Sequence, residues 1–161
     1  MKEEQRNQKK AVSEVKIFNV PFSLRDNQEN IIVNTNTPSK PSKEKIITQA
    51  FKFHSQGNIL EAAKYYEYFI NQGFEDHRVF SNYGVILSNL GKPQEAEIST
   101  RKAIQLNPDL AENHFNLGTI LTDLCKSKEA ELSLRKAIQL NPTYADAHCN
   151  LGNVLIDLGK L

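Results

Sequence analysis

The octapeptide Arg-Lys-Ala-Ile-Gln-Leu-Asn-Pro occupies residues 101–108 and recurs at 135–142, so its two copies begin 34 residues apart. A repeat of that length holds two helices and two turns, and such a unit hides its apolar face only by stacking on the next one. In this frame His77 to Leu110 and Ala111 to Tyr144 share 18 of 34 residues without a gap. A diverged unit fits upstream over Lys43 to Asp76, and a fourth starts at Ala145 and reaches its position 17 at Leu161. The expected architecture is all-α: three and a half helical hairpins in tandem over 43–161, preceded by a flexible leader over 1–42.

Small residues recur where helix backbones must cross closely. Unit position 8 is Ala50, Gly84, Gly118 and Gly152, position 20 is Ala62, Ala96 and Ala130, position 27 is Ala103 and Ala137, and a proline stands at position 32 in the second and third units. This pattern resembles the tetratricopeptide repeat (TPR), and the resemblance covers Lys43 to Leu161. It implies a right-handed α-solenoid whose first helix in each unit, helix A, lines a concave binding face. The chain departs from the pattern at position 4, where Phe80 gives way to His114 and His148, and in the first unit, where Phe69 and Phe74 replace Ala and Pro.

Local signals set the same boundaries. Val79, Phe80, Tyr83, Ile86, Leu87 and Leu90 form a stripe at helical spacing. That helix should close at Gly91, with Pro93 in the first turn of the next helix, where its missing N–H costs nothing. Gly57 and Gly159 are expected to act like Gly91, whereas Cys125 in their place should strain or lengthen its turn. Helix B should stop at Asn107, because a residue before proline avoids helical geometry. Glu97 with Arg101, and Glu131 with Arg135, are predicted solvent-facing pairs.

Charge and composition exclude several functions. The chain has 20 Lys+Arg and 19 Asp+Glu. Such a balance supplies no field to steer nucleic acid. No apolar run approaches the roughly 18 residues of a membrane span, and Met-Lys-Glu-Glu lacks the hydrophobic core of a signal peptide, so a cytoplasmic location is expected. Cys125 and Cys149 fall at unrelated repeat positions and are read as unpaired. His114 and His148 lie one repeat apart with no companion at ligand spacing, so they are read as packed histidines rather than metal ligands. No phosphate-cradling loop, nucleophile triad or carboxylate pair is present, which argues against an enzyme and against any cofactor or metal.

Within the leader, Val15, Ile17, Phe18, Val20, Phe22 and Leu24 make an apolar patch too short to fold alone. A linker follows, and Ser42 is placed to cap the first helix.

On the concave side one polar residue recurs: position 6 is Asn82, Asn116 and Asn150. A carboxamide both donates and accepts, so a row spaced by one repeat suits the main chain of an extended peptide without reading its side chains. The row resembles the asparagine ladder of the TPR superhelix in O-GlcNAc transferases, a likeness limited to these three positions. Asn89, Asp123 and Asp157 join them as candidate peptide-binding residues, and the face grows more acidic toward the C-terminus. A clamp for C-terminal carboxylates would need Lys and Arg where Ile47, Phe51, Glu112 and Asn116 stand, so that mode is rejected.

Helix A of the fourth unit presents Leu151, Val154, Leu155 and Leu158 with no helix B to cover them. Truncation of a longer array, self-association through this uncovered C-terminal helix and simple exposure all fit that pattern, and truncation fits best. Two functions remain. The first is a protein–protein interaction scaffold that binds an extended or helical peptide on its concave face. The second is the substrate-recruiting part of a glycosyl- or sulfotransferase whose catalytic domain lies elsewhere.

Overall fold

A computed structural model describes residues 42–160. The leader, with its Val15–Leu24 patch, lies outside the described residues. Seven helices follow one another: α1 (Lys43–Ser55), α2 (Ile59–Asn71), α3 (His77–Asn89), α4 (Pro93–Leu106), α5 (Ala111–Asp123), α6 (Ser127–Leu140) and α7 (Ala145–Asp157). The A helices α1, α3, α5 and α7 start 34 residues apart, at 43, 77, 111 and 145. No strand occurs among the described residues, and the chain is an all-α solenoid.

The chain's punctuation explains the helix ends. Asp76 caps α3 by accepting the Arg78 N–H at 2.9 Å, and its carboxylate also holds the Arg78 guanidinium at 2.8 and 3.0 Å. Those bonds keep the Asp76 carboxyl below its usual range. Ser42 stands at the N-cap of α1, as expected, but its side chain makes no capping bond. Pro93 opens α4, and Asn107 leaves it with extended geometry, φ −144° and ψ 93°. Gly91 closes α3 at φ 72°, and Cys125 takes the same left-handed turn at φ 58°. The Cys125 turn is not lengthened: its amide bonds Thr122 O at 2.9 Å, as Gly91 bonds Ser88 O at 2.9 Å. A side chain in this conformation costs about 1–2 kcal/mol that glycine avoids.

Each helix packs on its predecessor and successor in the chain. In addition α3 meets α5 and α5 meets α7, while the B helices α2, α4 and α6 make no comparable contact with one another. Closer spacing on the A side puts those helices on the inside of the curve. The core falls into two main clusters. Around α1–α3 it is aromatic, centred on Tyr66 and Phe69, both fully buried, with Val79 and Ile86. Around α5–α7 it is aliphatic, with Leu117, Leu121, Leu134, Leu151 and Val154.

Position 8 shows how the hairpins close. A Cβ on Gly118 would come within 2.6 Å of Leu134 Cγ, and one on Gly84 within 2.3 Å of Thr100 Oγ1. The two helices touch there only because no side chain intervenes. Gly152 has nothing within 4 Å of the same point.

Two expectations need correction. Leu151 is 9% and Val154 1% exposed, because α7 lays this stripe on α6, with Leu155 and Leu158 partly buried beside it; the open apolar residue on α7 is Ile156, at 62%. His114 and His148 are not packed in the core. Their Nε2 atoms donate to Pro108 O at 2.8 Å and Pro142 O at 2.9 Å, tying each A helix to the turn six residues earlier.

Candidate functional site

At about 100° per residue, positions 2, 6 and 13 of a helix fall within about 40° of one another, and position 9 shares that face. On α3 the three are Arg78, Asn82 and Asn89; on α5 Glu112, Asn116 and Asp123; on α7 Asp146, Asn150 and Asp157. A hydrogen bond of 3.2 Å from Asn150 Nδ2 to Thr119 Oγ1 on α5 shows that these faces adjoin across the α5/α7 seam. All three asparagines are half-buried, whereas Asn89, Asp123 and Asp157 are exposed and end their helices.

The three carboxamides differ in what they have left to offer. Asn82 Nδ2 donates to the Tyr66 hydroxyl at 3.3 Å, and that hydroxyl lies 2.9 Å from His54 Nδ1. The chain is satisfied when the phenol accepts from Asn82 and passes its own proton toward His54. Burial pushes the Tyr66 phenol pKa up, and the bond from Asn82 offsets part of that rise. Asn150 gives one of its two N–H groups to Thr119, which itself donates to Phe115 O at 3.2 Å. Asn116 makes no side-chain hydrogen bond with the described residues, so its donor and acceptor are both free. The sequence pattern found the row but not the Tyr66–His54 pair behind it, because both belong to the diverged first unit.

Two features of this face escaped the sequence reading. A hollow of 230 Å³ near α1 and α3 is lined by Phe51, Ser81, Asn82, Leu110 and Glu112, with the Arg78 guanidinium 5.3 Å from the centre of the Phe51 ring. Further along, Phe115 packs against Tyr144 with ring centres 4.9 Å apart and ring planes tilted by 38°. Burial raises the Tyr144 phenol pKa, and the carboxylates of Glu112 and Asp146 add to the rise. An aromatic residue at the last position of the unit, just before α7, was the available signal. Ile47, one of the four positions that argued against a carboxylate clamp, is buried at 9% exposure.

Charge is handled differently on α4 and α6 than on α5 and α7. The B helices α4 and α6 carry Glu95, Glu97, Glu129 and Glu131, and every one is in an ion pair. Glu97 takes Arg101 at 2.9 Å and Lys126 of the next unit at 2.7 Å, which holds its carboxyl below the usual range, the Lys126 bond contributing most. Glu131 takes Arg135 and Lys160 in the same pattern, and its carboxyl is lowered likewise. The A helices α5 and α7 carry four carboxylates and no Lys or Arg, and no described residue forms an ion pair with any of the four.

No group of three or more His, Cys, Asp or Glu that could hold a metal occurs among the described residues, and no described helix is long and apolar enough to cross a membrane. Cys125 and Cys149 are free and exposed.

Comparison with known proteins places this geometry. A family profile described as "Tetratricopeptide repeat" matches residues 77–110, and one described as "TPR repeat" matches 126–159, a frame that starts in helix B. No curated protein sequence matches the chain significantly. Among solved structures, the crystal structure of MamA protein is 24% identical with a TM-score of 0.67, over 73% of this chain and 64% of that one. YrrB, titled "a TPR protein with an unusual peptide-binding site", is 22% identical with a TM-score of 0.69, over 74% and 61%. The first TPR of Spaghetti (RPAP3), bound to an HSP90 peptide, is 20% identical with a TM-score of 0.67, over 73% and 93%. The chain thus spans less than two thirds of the MamA and YrrB chains it matches. At these identities the likeness establishes the fold, and the two profile matches show that the chain carries tetratricopeptide repeats.

Proposed function

We propose that this chain is a cytoplasmic protein–protein interaction scaffold rather than an enzyme, and that its concave face holds an extended or helical segment of a protein partner. Asn82, Asn116 and Asn150 contact the segment's main chain, with Asn89, Asp123 and Asp157 along one edge. The observation that carries this reading is Asn116: a half-buried carboxamide in the middle of the row, with no partner among the described residues. Two of the similar structures are described by the peptides or peptide sites they carry, which supports the same class of ligand. The matched profiles describe repeats and no catalytic domain, so nothing favours the transferase reading.

The test starts from random 12-residue peptides displayed on beads, from which the full chain selects binders. Replacing Asn116 by Ala should then weaken the selected peptides about 2- to 10-fold, the worth of one or two hydrogen bonds, with the thermal midpoint unchanged. Asn82→Ala and Asn150→Ala are less clean, since each also breaks an internal bond. Unchanged affinity in Asn116→Ala would remove the carboxamide row from the binding site.

A further inference from the structure

Three features of the inner face point to one kind of ligand, given the peptide-binding reading above. First, its carboxylates form two rails on either side of the carboxamide row: Glu112 and Asp146 at position 2, Asp123 and Asp157 at position 13. From position 6 the rails lie about 6 Å and about 10 Å along the helix axis, within reach of long side chains that leave an extended backbone on alternate sides.

Second, the placement of Asp123 and Asp157 opposes the fold's own electrostatics. Each is the last residue of its helix, where the backbone carbonyls already concentrate negative charge, and neither helix has a basic residue in its last turn. A local cost of this kind is relieved by a cation supplied from outside. The outer face shows the contrast, since there each glutamate of α4 and α6 has been given its Lys or Arg.

Third, the opposite rail carries the packed Phe115–Tyr144 pair beside Glu112 and Asp146. Aromatic faces next to carboxylates are the surroundings that favour a guanidinium or ammonium group. With a formal net charge of +1 the chain as a whole has no general attraction for cations, so a preference for them has to arise locally.

We propose that the segment held on this face is a basic peptide, its main chain on the asparagine row and its Arg or Lys side chains paired alternately with Glu112/Asp146 and Asp123/Asp157. Arg78, already neutralised by Asp76, marks the end of the groove where the cationic stretch stops.

The experiment titrates the full chain against three fluorescein-labelled 12-residue peptides of Gly and Ser carrying four Arg, four Glu or no charge, read by anisotropy. The Arg peptide should bind at least 10-fold tighter than the other two, and added salt should erode that margin. Asp123→Asn with Asp157→Asn should weaken it about 3- to 10-fold, as should Glu112→Gln with Asp146→Asn, the scale of two partly exposed ion pairs. Glu95→Gln on the outer face should leave it unchanged. The Asp123/Asp157 variant removes charge from helix C-termini, so its melting temperature should hold or rise, and lost binding cannot then be assigned to unfolding. Equal binding of the Glu peptide, or undiminished binding of the Arg peptide by both double variants, would overturn the basic-partner assignment. If all three peptides bound equally and Asn116→Ala weakened each, the main-chain grip would stand and the charge proposal alone would fall. If the rail variants lost the Arg peptide while Asn116→Ala kept it, the reverse would hold.

Discussion

The seam between α2 and α3 and the seam between α6 and α7 do the same job with different materials. The first is sealed by fully buried aromatic rings and by a hydrogen-bonded line from Asn82 through Tyr66 to His54. The second relies on Leu134 and small residues inside, and on Glu131 bridging to Lys160 outside. A diverged unit can hold large side chains because its partners diverged with it. The near-copies are limited to contacts that every copy can make again. This is also why the internal repeat made α3 to α7 legible in the sequence while the first seam was not. The 34-residue frame fixed helix starts and the position-6 row, since those depend on local spacing. Tyr66, His54 and Phe51 interact through tertiary contacts that no period announces.

The comparison can be tested by substitution, beginning with the largest effect. Tyr66→Ala should cost about 3–5 kcal/mol, combining a large cavity with loss of the polar line, and Leu134→Ala about 2–5 kcal/mol at the later seam. Chemical denaturation should show the first loss as the larger. Equal losses would mean that the aromatic seam is no stronger than the aliphatic one.

Asn113 offers a gain. Its side chain is wholly buried with neither carboxamide atom hydrogen-bonded among the described residues, at the position where the preceding unit has Val79, also fully buried. Asn113→Val should stabilise by about 1–3 kcal/mol, the penalty for an unpaired buried amide. A raised denaturation midpoint checks this, and a lowered one would mean that the amide is satisfied in solution.

Position 8 separates packed from open sites. Gly118→Ala should cost about 1–3 kcal/mol through overpacking against Leu134, whereas Gly152→Ala should gain about 0.5–1 kcal/mol, since its space is open and alanine favours helix. The same substitution at the same unit position should therefore move the melting temperature in opposite directions.

The smallest effect belongs to the outer ion pairs. Because the Glu97 carboxyl titrates below its usual range in the folded chain, its contribution is present above a pH of about 4.3, the unfolded value, and fades as acid protonates the folded group. Glu97→Gln should therefore lower the melting temperature slightly at pH 7, and less at pH 3 or in 1 M salt. A deficit that persisted in acid would point to packing rather than charge.

The candidate face was legible only in part. Its residues could be placed by counting, but whether each carboxamide was free could not. Asn82 and Asn150 each answer to a neighbour outside the repeat's local pattern.

The internal bonds of Asn82 and Asn150 concentrate the row's spare donors at its centre. With one N–H of each committed to Tyr66 and Thr119, these outer rungs keep a carbonyl oxygen and a single N–H for a guest, while the central rung keeps both of its N–H groups. A guest strand can then set two carbonyl oxygens against the middle of the row but only one against each end.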